Sequence, residues 1–253
     1  CKNLIFEDLV ISDHHRQGIS VISAENLLIR RCTISDTSGT APAAGIDFEP
    51  NYLGERFTNI VIDNCEFSEN ASAGIMFCIE RMKKNSVPVS ITVKNSRISS
   101  NQYGIVIATR EARGEIRVEN CQVENNRGIP FLLKEQNDTG LKVILQNVVF
   151  RNMSYNDSAA IVLAGGSADI GNLMLDHVKV ITQFPVPIEF NGMTGYGITS
   201  LSGTLLYGKD RNNLKKFDLA KFVAANAPKP SERAVSGRTR KMEFAKLVPA
   251  AGK

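Results

Sequence analysis

Residues 59–77, which open with NIVIDNCEFS at Asn59–Ser68 and close with GIMF at Gly74–Phe77, decide the fold. Ile60 and Ile62 alternate with Val61 and Asp63, Asn64 makes a corner, and Cys65-Glu66-Phe67 resumes the alternation. A period of two is the mark of a strand with one face in the core. The ten-residue phrase recurs at Asn3, Asn26, Ser90, Glu115, Lys142 and Asn172. A second short strand follows most copies: GISV at Gly18, GIDF at Gly45, GIVI at Gly104 and GIPF at Gly128, with degenerate forms AIVL at Ala160 and PIEF at Pro187. Self-similar units of short strands describe a solenoid. The reading is therefore an all-β, parallel β-helix of about seven coils, right-handed because parallel crossover connections strongly prefer that hand.

Asparagine recurs at the corner, at Asn64, Asn95, Asn120 and Asn147. Its short amide tolerates a left-handed backbone and bonds nearby main chain, so it suits a tight bend. Stacked coils would let these amides bond to one another. Cys32, Cys65 and Cys121 occupy one place in their repeats, where Ser96, Val148 and Val178 stand in others. Equivalent side chains in successive turns lie about 4.8 Å apart, so these thiols are expected as a buried, unpaired ladder. Their spacing matches neither a disulfide framework nor a zinc site.

The net charge of +4 is unevenly placed: from Pro228 onward seven Lys/Arg face two Asp/Glu, leaving −1 for the rest. A nucleic-acid binder wants its basic face on the folded body, so no nucleic acid is expected. No apolar run approaches the roughly 18 residues of a membrane span, and a soluble protein is expected. The repeat already begins at Asn3, so further solenoid is expected before Cys1, and the lack of a leader at Cys1 says nothing of location. The division expected is 1–207 β-helix, 208–227 capping helix and 228–253 basic extension. The helix rests on Asn213–Asn226, with Leu214, Phe217, Ala220 and Val223 on one stripe. Leu214 and Phe217 are expected to close the open end of the core. Pro228 and Pro230 end the helix, and Met242 and Phe244 give the extension a strand-like patch.

Chemistry is expected on the outward positions of the Gly-Ile strands. Up the rod these read Ser20, Asp47, Met76, Val106, Pro130, Val162 and Glu189, then Ile22, Glu49, Cys78, Ala108, Leu132, Ala164 and Asn191. Only GIDFEPN puts two carboxylates, Asp47 and Glu49, on one outward face. Carboxyl separations of about 5–5.5 Å or about 6.5–9.5 Å serve retaining and inverting glycosidases. The two could also act as acid and base if their surroundings part their pKa values. Before the glycine, Ala43-Ala44 and Ser72-Ala73 of the second and third coils are small between the larger Arg16-Gln17 of the first and Gln102-Tyr103 of the fourth. That profile predicts a groove with Asp47 and Glu49 on its floor, bordered by the loops 36–44 and 51–56. His14 and His15 could transfer protons there. Arg16 could neutralise a uronate or sulfate, and Tyr52 and Tyr103 could stack on a sugar. Glu80, Arg81, Lys83 and Lys84 continue the edge. Asp47, Glu49 and Asn51 could alternatively hold Ca²⁺ through oxygen.

The phrase and its Gly-Ile strand, over roughly Asn3 to Asn191, resemble the pectate-lyase-like superfamily of right-handed parallel β-helices. The resemblance implies a polysaccharide or oligosaccharide ligand and a secreted, periplasmic or cell-surface location. GIDFEPN is loosely similar to the Asp-Pro-His strand of mannuronan C5-epimerases, with Asp47 matching the Asp and Phe48-Glu49-Pro50 departing from Pro-His. The paired aspartates and Gly-His-Gly of polygalacturonases are absent. Two functions follow as expectations: a glycoside hydrolase, polysaccharide lyase or epimerase, and a non-catalytic glycan-binding or spike-like rod.

Overall fold

The computed structural model describes residues 1–135, 140–151, 159–164, 171–183, 187–191, 201–221 and 240–241. Strands, numbered in chain order, fall into three rows. The long row is β1 (Lys2–Glu7), β4 (Ala24–Arg30), β7 (Phe57–Asp63), β10 (Val89–Lys94), β13 (Gly114–Glu119), β16 (Lys142–Gln146) and β19 (Leu173–Ile181). A short row follows the corner: β2 (Val10–Ser12), β5 (Thr33–Ser35), β8 (Glu66–Ser68), β11 (Arg97–Ser99), β14 (Gln122–Glu124) and β17 (Val149–Arg151). The Gly-Ile row is β3 (Gln17–Val21), β6 (Ala44–Phe48), β9 (Ala73–Cys78), β12 (Tyr103–Ala108), β15 (Phe131–Lys134), β18 (Ile161–Ala164) and β20 (Ile188–Asn191). Within each row every strand pairs in parallel with the next coil. In the seventh coil β19 runs unbroken through the corner and pairs with both β16 and β17, so the first two rows join into one sheet. The result is an all-β parallel solenoid of about seven turns.

The chain bends through left-handed backbone at recurrent places of the coil. The corner residues Asp8, Arg31, Asn64, Asn95, Asn120, Asn147 and His177 have φ between 52° and 56°. Asn3, Asn26, Asn59 and Asn172, at the start of the long row, share that conformation. Asn and Asp dominate because a branched or bulky side chain would add about 1–2 kcal/mol of strain at each such bend. The expected amide stack forms: Asn147 Nδ2 donates to Asn120 Oδ1 (3.1 Å) and Asn120 Nδ2 to Asn95 Oδ1 (3.3 Å). Asn95 then donates to Asp63 (2.8 Å) rather than to Asn64, which stays outside the stack.

Inward side chains make one core. Phe48 lies flat on Phe77, centroids 4.9 Å apart, and Phe57 meets Phe48 edge-on at 5.6 Å. All three are fully buried, each such ring contributing about 1.5–3 kcal/mol by area alone. Cys32, Cys65 and Cys121 are buried free thiols as expected. Burial pushes the Cys65 thiol up to about 11 and the Cys121 thiol up to about 12. A thiol reagent at mildly alkaline pH should therefore label the exposed Cys1 at once and these two only on unfolding. Prompt native labelling of Cys65 or Cys121, read by mass spectrometry, would contradict the ladder.

Two expectations need correction. In the fifth coil Phe131, not Ile129, pairs with Ile105, and Leu132 with Val106. Phe131 and Leu133 fill the core, so the outward pair there is Leu132 and Lys134 instead of Pro130 and Leu132. Pro130 has no N–H for the ladder and serves as acceptor, taking the Ile105 N–H at 2.9 Å. The second correction concerns the expected capping helix. Lys215–Asp218 is a strand, β22, antiparallel to β21 (Leu201–Gly208), with Leu205 opposite Phe217. Phe217 packs half-buried beside Tyr207, ring centroids 6.3 Å apart, and that pairing overrides its helical pattern. Helical backbone begins at 219, where Lys221 N bonds Asp218 Oδ1 at 3.1 Å and Leu219 is buried. Residues 222–227 of the expected helix, and Met242 and Phe244, lie outside the described residues. A strand β23 (Arg240–Lys241) pairs antiparallel with β20. Among the described residues no helix is long and apolar enough to cross a membrane.

Candidate active site on the second coil

Strand β6 places Asp47 between Ser20 on the coil below and Met76 on the coil above. Its pleat points Ile46 and Phe48 into the core and Asp47 to the outer face. The outer face is not open there. Asp47 is only 1% exposed, against the expectation of a solvent-facing floor, and Oδ1 has no hydrogen-bond partner. Burial pushes its carboxyl above the usual carboxylate range, and the charge of Glu49 adds to the effect. The Ser20 and Gln17 side chains and the Arg16 charge pull the other way and lose to burial. Gln17 and Ser20 are thus polar neighbours of the carboxyl that were not among the charged candidates. The signal was available, since both sit one coil below β6 in the parallel register.

Glu49 is half-buried, its N–H bonded to Val21 O at 3.1 Å. The two carboxyls therefore differ in their surroundings, Asp47 buried and Glu49 partly in water. Cys78 lies beyond Glu49 on the next coil, continuing the row with Ala108. Its thiol is pushed up to about 12 by burial first and then by the charges of Glu80, Glu49 and Asp47.

The flanking candidates separate into two edges. On one, His15 is taken up by the loop 36–44. Its Nε2 lies 3.0 Å from Thr40 Oγ1, its carbonyl accepts Thr40 N–H, and its ring sits where a Cβ on Gly39 would have to go. Arg16 Nε donates to Ala41 O at 3.2 Å while its charge is felt at Asp47. His14 is exposed and its carbonyl accepts Ser38 N–H at 2.9 Å. The histidines thus clip the loop to the coil below, and the hydrogen bonds of His15 go to Thr40, not to a carboxylate.

On the other edge, Glu55 accepts the Tyr52 N–H at 2.9 Å and the Asn51 N–H, curling 51–55 into a turn. Arg81 Nη1 reaches across from the third coil to Asn51 O at 3.1 Å. Tyr52 is 76% exposed, free to stack on a ligand. Tyr103 is packed half-buried against a second apolar cluster containing Ala44, Ala73 and Val106, so its ring is not offered freely at the rim. Asn126 is fully buried. Among the described residues no three His, Cys, Asp or Glu side chains converge on a common metal position. Asn51 is exposed with its carbonyl engaged by Arg81.

In the fourth to sixth coils the row that contains Asp47 turns apolar and closed: Val106, Leu132 and Val162 are 6%, 7% and 1% exposed.

A family model described as "Right handed beta helix region" matches residues 1–171 and, in a second overlapping match, residues 58–205. The chain belongs to the right-handed β-helix family. Comparison with curated proteins and with solved structures gives no match. The β-helix region is a fold common to carbohydrate-active proteins and fits the pectate-lyase-like superfamily. Fold membership does not fix the chemistry, which has to be argued from the site.

Proposed function

We propose that this β-helix protein acts on an extracellular polysaccharide at the second coil, with Asp47 as the proton donor and Glu49 as the second carboxyl. The observation that carries this reading is Asp47 itself, a buried carboxyl with an unpartnered oxygen on the outer face of a rigid sheet. Such a group costs stability, and unsatisfied buried groups of this kind concentrate where chemistry is done. A carboxyl kept protonated can give its proton to a glycosidic oxygen, while Glu49 assists water, attacks the anomeric carbon or removes a ring proton. Tyr52 and Arg81 lie on one edge of the face to hold the chain, and Arg16 on the other. Serving hydrolysis, elimination and epimerisation alike, this division of labour leaves the reaction class to assay. A screen over plant, algal and bacterial polysaccharides, reading reducing ends and unsaturated-product absorbance together, should give turnover on at least one. Silence on both readouts across the panel, with a folded protein, counts against the catalytic reading.

One observation favours a second reading, a non-catalytic glycan-binding rod. At 1% exposure Asp47 offers a ligand almost no surface, and a buried carboxyl can also be a tolerated structural cost. Binding that survives Asp47→Asn, with no turnover in either form, would select this alternative.

A further inference from the structure

A groove of about 410 Å³ runs along the rod at the corner between the long and short rows, on residues the Gly-Ile face does not use. One wall carries Arg31, Asn64, Asn95 and Asn120, and the other Thr33, Glu66, Arg97 and Gln122. Its origin is the left-handed corner itself. The chain turns there so that Cys32, Cys65 and Ser96 point inward, which leaves a crease between the flanking side chains of successive coils. We propose that this crease is a second binding site, for an uncharged, hydroxyl-rich chain such as a neutral oligosaccharide lying parallel to the rod axis.

Charge decides the ligand class. Arg31 is held by Asp8 at 2.8 Å and 3.0 Å and by Glu7, and Arg97 by Glu124 at 2.9 Å and Glu66 at 3.1 Å. Both guanidiniums are already neutralised, and the Glu66 carboxylate in the wall disfavours an anion. The remaining groups are amides and a hydroxyl, which donate and accept equally well. Asn64 and Gln122 make no side-chain hydrogen bond among the described residues, Asn64 because Asn95 bonds Asp63 in its place. Asn95 and Asn120 spend only part of their capacity on the stack, since an amide has two donors and two acceptor lone pairs. Spacing separates a glycan from a peptide. The amides repeat once per coil, at about 4.8 Å, so a chain with hydroxyls along its whole length meets one amide after another. Same-face groups of an extended peptide recur at roughly 6.6 Å and fall out of step.

The test is a titration of the whole protein, followed by the side-chain amide resonances of Asn64, Asn95, Asn120 and Gln122. The probes are cellohexaose, xylohexaose and mannohexaose, with oligogalacturonate and an extended polar peptide of equal length as contrasts. At least one neutral probe should give saturable shifts at these amides. The double variant Asn64→Asp, Gln122→Ala should weaken it at least about fivefold, the scale of a lost hydrogen bond or two. Asp keeps the left-handed corner at 64, Gln122 is exposed, and an unchanged thermal midpoint verifies the fold. The proposal is overturned if no neutral probe shifts these signals up to about 20 mM, well past weak millimolar affinity. A response equal or stronger to oligogalacturonate or peptide, or undiminished in the variant, overturns it as well. Asp47→Asn should leave this titration unchanged, so the corner site and the second-coil site stand or fall separately.

Discussion

Asp47→Asn should lower turnover of the cognate polysaccharide by about 10²-fold or more and, at neutral pH, raise the thermal midpoint of the fold. The two effects share one cause. Burial raises the Asp47 pKa in the folded state, above an unfolded value of about 3.9. Below that unfolded value both states hold the proton and the carboxyl costs nothing through ionisation. As pH climbs through the window between the unfolded and folded pKa values, the unfolded chain releases its proton first. Stability then falls, and above the folded pKa the penalty is constant. Asn carries no such penalty, so the gap in midpoint between variant and wild type should be small in acid and widen toward neutrality. A stabilised, inactive variant is the signature of a group kept for function at the expense of the fold. Glu49→Gln should cause a comparable fall in turnover. The double variant should lose much less than the product of the single losses, because the two carboxyls act as a unit. Full activity in both single variants removes the site from consideration. A stabilised Asp47→Asn with unaltered glycan binding and no turnover to lose moves the argument to the binding rod.

How much of this was legible depended on whether a feature repeats. The Asn64 corner, the cysteine ladder and the Ile60/Ile62 alternation recur at fixed places, so one coil interprets the next. The fifth coil failed because GIPF copies the letters of the motif while Phe131 takes the inward place one step on. A matching string was weaker than a bulky side chain next to a proline. Phe217 failed for a different reason: its i, i+3 pattern is helical, but an adjacent edge, β21, was waiting to be paired. The alternation of β6 put Asp47 on the outer face, and its burial was not readable. Burial at that point depends on what neighbouring coils and loops put over it, which has no period. The internal asparagines were readable and missed. Asn70, Asn101 and Asn126 stand four, three and two residues before the next Gly-Ile glycine, which hides them, yet each follows its corner asparagine by six.

Asn101→Leu should destabilise the rod by several kcal/mol, although Leu nearly matches Asn in volume and belongs in a core. Asn101 is fully buried, and every polar atom of its side chain is in use. Its Oδ1 accepts Asn70 N–H at 3.0 Å and Asn70 Nδ2 at 2.8 Å, and its Nδ2 donates to Phe67 O at 3.1 Å and Asn126 Oδ1 at 3.2 Å. Leucine removes all four bonds and strands the Asn70 N–H, where water has no access. The orphaned N–H costs about 1–3 kcal/mol and each of the other three lost bonds about 0.5–1.5 kcal/mol, so the sum is about 2.5–7.5 kcal/mol, a large part of the roughly 5–15 kcal/mol that holds a domain folded. The exposed stack supplies the control. Asn120→Gly keeps the left-handed corner at φ 54° and removes the same number of amide groups. Water can replace its bonds to Asn95 and Asn147, so the cost should stay near the 0.5–1.5 kcal/mol of an ordinary net hydrogen bond. Urea unfolding measures both. Because coils couple to their neighbours in series, the Asn101→Leu transition should also broaden or split as the first three coils part from the rest. An Asn101→Leu midpoint as close to wild type as that of Asn120→Gly would show that the buried amides are not what locks one coil onto the next.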